Sequence, residues 1–167
     1  MVRLVPMSQT EFEAYLESSV QEYAQEHVRA GNWSAEKALQ MAEESFHTLL
    51  PDGLATSNQY LFTIEDETLG EKVGVLWFAV EEREAGPRAF VYDVQVDEAY
   101  RRQGYGTQAF EALERKVREL GLTRIMLHVF GHNRAARAMY AKLGYEVVDL
   151  IMSKTLSPSG SHAQPAP

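Results

Sequence analysis

Val91-Tyr92-Asp93-Val94-Gln95-Val96-Asp97-Glu98-Ala99-Tyr100-Arg101-Arg102-Gln103-Gly104-Tyr105-Gly106-Thr107 joins two kinds of sequence. Up to Val96 the residues are mostly β-branched or aromatic, the composition of a strand. After Gly106 the apolar residues return at helical spacing, as Ala109/Phe110, Leu113, Val117 and Leu120, with Gly121 placed to end the helix. A loop with two glycines and two arginines therefore links a strand to an amphipathic helix. The first N–H groups of a helix have no internal partner and carry the positive end of its dipole. Glycine lets the backbone approach a bound group closely. The segment Arg101-Arg102-Gln103-Gly104-Tyr105-Gly106-Thr107 thus predicts a cradle for a pyrophosphate.

Upstream, Val2 to Val5 read as a strand closed by Pro6. Ser8 and Glu11 form a capping box, with Met7 and Phe12 as the staple around it. Phe12, Leu16, Val20 and Tyr23 continue a helix that stops near Gly31-Asn32. Ser34 is placed to cap a second helix with the stripe Ala38, Met41/Ala42, Phe46 and Leu49. Tyr60–Ile64, Val73–Val80 and Phe90–Val96 then read as a three-stranded antiparallel meander with turns at 65–72 and Gly86-Pro87.

Downstream, Leu122–Phe130 reads as a strand. Ala135/Ala136, Met139/Tyr140 and Leu143 read as a short helix stopped by Gly144, and Tyr145–Leu156 as a final strand. Strands joined by a helix should be parallel, so those near Val96 and Leu127 should pair that way. The expectation is a single α/β (α+β) domain over residues 1–156. Its sheet should be mixed, mostly antiparallel and six-stranded, with helices on both faces. Residues 157–167, SPSGSHAQPAP, read as a low-complexity tail.

Composition narrows the classes. A chain of 167 residues, 45% hydrophobic and 24% charged, suits one soluble core. No apolar run reaches the roughly 18 residues of a membrane span. The N-terminus turns polar by Gln9, unlike a secretory leader, so the cytoplasm is the expected compartment. A formal charge of −8 argues against nucleic acid and anionic membrane, and mildly favours a cationic acceptor. The absence of cysteine excludes disulfides, thiolate zinc sites and an acyl-cysteine intermediate.

Gly104-Tyr105-Gly106-Thr107-Gln108-Ala109 also satisfies the dinucleotide fingerprint G-x-G-x-x-A. Three features oppose that reading. Seven residues separate Val96 from Gly104. The acidic ribose ligand is missing from the Gly121–Arg134 stretch. The preceding strands are antiparallel in type.

The pattern resembles the GNAT superfamily of N-acetyltransferases. Arg101-x-x-Gly104-x-Gly106 fits its loop signature, and Val94-Gln95-Val96 resembles the strand before it. Leu127 to Tyr145 is similar to its second signature: a strand, Asn133, two small residues, Tyr140, then Gly144-Tyr145. The resemblance implies acetyl-CoA as co-substrate and a splayed central parallel pair. It implies that backbone groups of Val94 and Val96 pair with the pantetheine arm. Residues Arg101 to Thr107 would hold the pyrophosphate, Asn133 would bond the arm, and Tyr140 would lie near the thioester sulfur.

Acetyl transfer to an amine needs a neutral nucleophile, yet at pH 7 only about one free lysine side chain in two thousand is neutral. A base is therefore expected. Asp93 alternates with Tyr92 and Val94 in a strand, where a carboxylate needs a partner. His128 lies in the neighbouring strand between Leu127 and Val129. The two are candidates for a proton relay, or for a purely structural pair. Tyr140 is a candidate acid for the leaving thiolate, or core packing beside Ala136 and Leu143. The Val94 N–H is a candidate oxyanion donor. Glu22, Glu26 and Trp33 could line an acceptor pocket, or form a solvated helix face. The five histidines lack metal-ligand spacing, so no metal is expected. The leading function is N-acetyl transfer in a ternary complex to a small-molecule or peptide amine. The alternative is a catalytically silent CoA-binding module. A second copy of the chain is a candidate partner.

Overall fold

The computed structural model describes residues 1–156. The tail at 157–167 lies outside the described residues. Among the described residues five strands appear: β1 (Val2–Pro6), β2 (Gln59–Asp66), β3 (Glu71–Glu81), β4 (Arg88–Val96) and β5 (Ile125–Leu127). The four helices are α1 (Gln9–Arg29), α2 (Ala38–Leu49), α3 (Tyr105–Glu119) and α4 (Arg134–Lys142). The sheet runs β1-β2-β3-β4-β5, antiparallel except for the parallel β4–β5 pair.

Helix α1 starts as its sequence dictates. Glu11 accepts from the Ser8 N–H at 2.7 Å and from Ser8 Oγ at 2.6 Å, completing the capping box. The same carboxylate accepts from Thr63 Oγ1 at 3.1 Å and pairs with Lys72, tying the helix start to β2 and β3. Strand alternation then sorts the side chains. Trp77, Leu61, Phe12, Tyr15, Phe46 and Leu50 bury one face of the sheet under α1 and α2. Leu76, Phe78, Ile64, Val91, Phe110 and Leu113 bury the other face under α3.

Four expectations need correction. The sheet has five strands, because residues 146–156 pair with nothing: Ile151 and Met152 are 93% and 89% exposed. A β-rich run becomes a strand only against a partner edge, and this run leaves the body after Tyr145. Helix α2 is preceded by Lys37 with no side-chain cap, because Ser34 is spent in the turn before it, where its carbonyl accepts from the Lys37 N–H. The strand expected over Leu122–Phe130 contracts to Ile125–Leu127.

The cause of its early end at Leu127 lies in β4. Trp77 opposes Asp93 while Phe78 opposes Val91, leaving Tyr92 as an extra residue. Such a bulge bends its strand and breaks the alternation of faces. Asp93 therefore does not face away from Tyr92 as expected. Tyr92 stacks on Trp77, and Asp93 meets Tyr15, both on the α1 side. Pairing with β5 runs from Ala89–Ile125 through Val91–Leu127 and stops at the bulge.

Candidate active site

The open stretch of β4 beyond the bulge sets the geometry. The Asp97 N–H donates to the Val73 carbonyl at 2.9 Å. Antiparallel alternation then turns the backbone of Gln95 toward β3 and that of Val94 and Val96 toward the open side. The Val96 carbonyl is already engaged there: Arg101 Nε donates to it at 3.0 Å. Arg101 thus braces the loop against the strand. Gln103 does similar work, donating through Nε2 to the Ala99 carbonyl at 3.0 Å. Arg102 is exposed, with φ at 64°.

Gly104, at φ 86°, precedes helix α3 with no side-chain cap. That leaves the amides of Tyr105, Gly106 and Thr107 pointing out of the helix start. The Tyr105 side chain anchors this turn from below: its hydroxyl donates to Asp66 Oδ2 at 2.9 Å inside the core. Gly106 is needed for a close approach. A Cβ there would lie 2.9 Å from the Met139 sulfur of α4. This uncapped turn with bare Cα atoms, beside an opened strand pair, fits the diphosphate and arm of coenzyme A.

Asp93 is the centre of a polar network. Tyr15 donates its hydroxyl to Oδ2 at 3.0 Å, and Gln95 Nε2 donates to the same oxygen at 3.0 Å. Gln95 Nε2 also donates to Glu22 Oε2 at 3.0 Å. Burial pushes the Asp93 carboxyl up to about 6, against the Tyr15 hydrogen bond, while the Glu22 charge pushes it further up. The Val94 N–H also favours this carboxylate. Burial and the Asp93 charge raise the Tyr140 phenol to about 12, so it stays protonated. The Tyr140 ring is half-buried, edge-on to Phe110 at 5.2 Å.

Asp93 and His128 form no direct hydrogen bond among the described residues. The bulge commits Asp93 to Tyr15 and Gln95, whereas exposed His128 lies edge-on to Phe130 at 5.1 Å. Asn133 caps α4, its Oδ1 accepting from the Ala136 N–H at 3.1 Å. Its side-chain NH2 group makes no bond among the described residues. Glu26 pairs with His132, joining α1 to the loop before α4. Trp33 stacks on His27 at 3.9 Å, and Phe130 meets that ring edge-on at 5.1 Å. Tyr15 and Gln95 were not singled out from the sequence. Gln95 had a signal, two residues from Asp93 on the same strand face. Tyr15 had none beyond its place on the apolar side of α1.

The acetyltransferase (GNAT) family pattern matches residues 12–145, most of the chain. The chain belongs to the GNAT acetyltransferase family. It is an N-acetyltransferase of that family. It is 40% identical over 157 residues to a Bacillus subtilis protein named uncharacterized N-acetyltransferase YycN, covering 93% of this chain and 99% of that one. The crystal structure of YycN is similar at TM-score 0.89 with 38% identity, over 95% of this chain and 100% of that chain. A predicted acetyltransferase from Clostridium acetobutylicum, solved with acetyl-CoA, shares the fold at TM-score 0.63 and 13% identity, over 93% of this GNAT chain and 96% of its own. No helix among the described residues is long and apolar enough to cross a membrane. None of their His, Asp and Glu side chains gather in threes that could hold a metal.

Proposed function

We propose that this GNAT enzyme transfers the acetyl group of acetyl-CoA to a primary amine by direct attack in a ternary complex. The observation that carries the reading is the end of β4–β5 pairing at Val91–Leu127, beside the uncapped start of α3. The amides from Arg102 to Thr107 receive the diphosphate, helped by the helix dipole. The outward backbone of Val94 and Val96 receives the pantetheine arm as a strand would, with Arg101 yielding or sharing the Val96 carbonyl. The free amide nitrogen of Asn133 donates to the arm. Bound acetyl-CoA supplies an activated thioester carbonyl. That a fold neighbour crystallised with acetyl-CoA supports this choice of donor.

Asp93 takes the proton of the incoming ammonium. A carboxyl near 6 is ionised at pH 7 yet basic enough to accept. Glu22 lies beside it and adds negative charge for a cationic acceptor. Tyr140, protonated at every working pH, donates to the departing sulfur. His128 has no part in this route. The acetyl-CoA donor fits the cytoplasmic compartment expected from the sequence.

Thiol release from acetyl-CoA, followed across amines from amino acids and polyamines to aminoglycosides and peptides, tests the reading. At least one class should accelerate release above hydrolysis. Tight CoA binding with no release on any amine would establish the silent module instead.

A further inference from the structure

Asp66, at the end of β2, is a buried carboxylate that the acetyl-transfer route does not use; it is 6% exposed. A buried carboxylate is costly unless its oxygens find donors. Asp66 finds three. Its Oδ1 accepts from the Thr68 N–H at 2.8 Å and the Leu69 N–H at 2.9 Å, which folds the turn between β2 and β3. Its Oδ2 is left for a group far along the chain, the Tyr105 hydroxyl, at 2.9 Å. A phenol donating to an ionised carboxylate makes one of the stronger kinds of hydrogen bond.

The residue opposite Asp66 in the hairpin holds the other end of the same loop. Glu71 faces Asp66 in the β2–β3 register, and its Oε2 accepts from the Tyr100 hydroxyl. The Tyr100 and Tyr105 rings stand edge-on, with centroids 5.8 Å apart. These two tyrosines bracket Arg101-Arg102-Gln103-Gly104. One end of the sheet therefore grips the loop on both sides.

Such a grip matters at this loop. Arg102 and Gly104 lie at φ 64° and 86°. A non-glycine residue keeps a positive φ only where its surroundings impose it. Tyr105 is the first residue of α3, so tying down its ring also aims its N–H. Donors that already point the right way need no reordering when an anion arrives, and that saving appears as affinity.

We propose that Asp66, seconded by Glu71, is a positioning residue for the diphosphate of coenzyme A. Through the Tyr105 and Tyr100 hydroxyls, the β2–β3 hairpin holds the amides from Arg102 to Thr107 in their binding arrangement before the ligand arrives. This inference rests on the diphosphate reading of that loop. It makes the hairpin a determinant of how strongly ligands with a diphosphate are preferred over ligands without one.

Titration calorimetry with coenzyme A and with pantetheine, which has the arm and no diphosphate, measures that preference without any amine. Tyr105→Phe removes one hydroxyl and should shrink the ratio of the two dissociation constants about fivefold or more. Hydrogen exchange of the amides from Arg102 to Thr107 in the free protein should quicken with it. Asp66→Asn keeps an oxygen to close the turn and should lose less. Added to Tyr105→Phe it should cost the ratio nothing further, because both variants break one bond. Tyr100→Phe repeats the test at the other end, where the abandoned Glu71 is exposed and the fold is not at risk. A folded Tyr105→Phe protein with its full preference for coenzyme A, or losses that add in full, would overturn the proposal and leave the diphosphate reading standing. Equal binding of coenzyme A and pantetheine by the unaltered protein would overturn both.

Discussion

Replacing Asp93 with asparagine should make the protein more stable and less active. The carboxyl sits near 6 in the fold, against about 3.9 in an unfolded chain. The folded state therefore holds this proton more tightly. Stability is greatest below the unfolded value, declines as pH climbs from about 4 to about 6, and is level above that, where the ionised group costs the fold its full penalty. Two pH units correspond to about 3 kcal/mol. Water reaches part of this half-buried side chain, so about 1–3 kcal/mol is the expected gain for Asp93→Asn at pH 8. At pH 4 the gain should vanish. Turnover should drop by about 100- to 10,000-fold. The rising limb of kcat/KM near pH 6 should disappear with it. Urea melts at pH 4 and pH 8, alongside thiol release, read both effects. A variant no more stable at pH 8 would refute the burial argument. A variant with full activity and an unchanged pH limb would refute Asp93 as the base.

Tyr140→Phe should lower kcat by about 10- to 100-fold with CoA affinity within twofold, since only the proton donor is removed. Calorimetry and single-turnover thiol release separate the two. Gly106→Val should weaken CoA binding at least tenfold and cost about 1–3 kcal/mol, because its Cβ would press on the Met139 sulfur, 2.9 Å away, and its branches on the cradle. Titration calorimetry and a urea melt would read both. Glu11→Gln should lower the melting temperature at pH 7. The pairing with Lys72 and the Ser8 bonds hold the Glu11 carboxyl down at about 2. That stabilisation is present above about 4.5 and fades as pH falls toward 2, so the two melting curves should converge in acid.

Elements with their own local signals were legible in the sequence. The capping box at Ser8 and Glu11, the glycine after α3 and the parallel β4–β5 pair all follow from residue type and spacing. So did the turn from Arg101 to Thr107, whose physics is that of any uncapped helix start. The bulge at Tyr92 was not legible, because one extra residue in a β-rich run leaves the composition unchanged. Its consequences went with it. Asp93 was expected to face away from Tyr92, and the bulge turns both to the α1 side, where Asp93 meets Tyr15. Residues 145–156 have the composition of a strand, but composition does not supply a partner edge, and in the structure they pair with none. The roles of Arg101 and Gln103 as loop braces depend on carbonyls that only the folded turn brings within reach.

A crystal structure of the protein with coenzyme A bears on all of this most directly. The diphosphate should rest on the main-chain amides between Arg102 and Thr107, with the thiol arm running beside Val94 and its sulfur next to Tyr140. A diphosphate bound at any other surface, or an arm that bypasses the gap between β4 and β5, would contradict it.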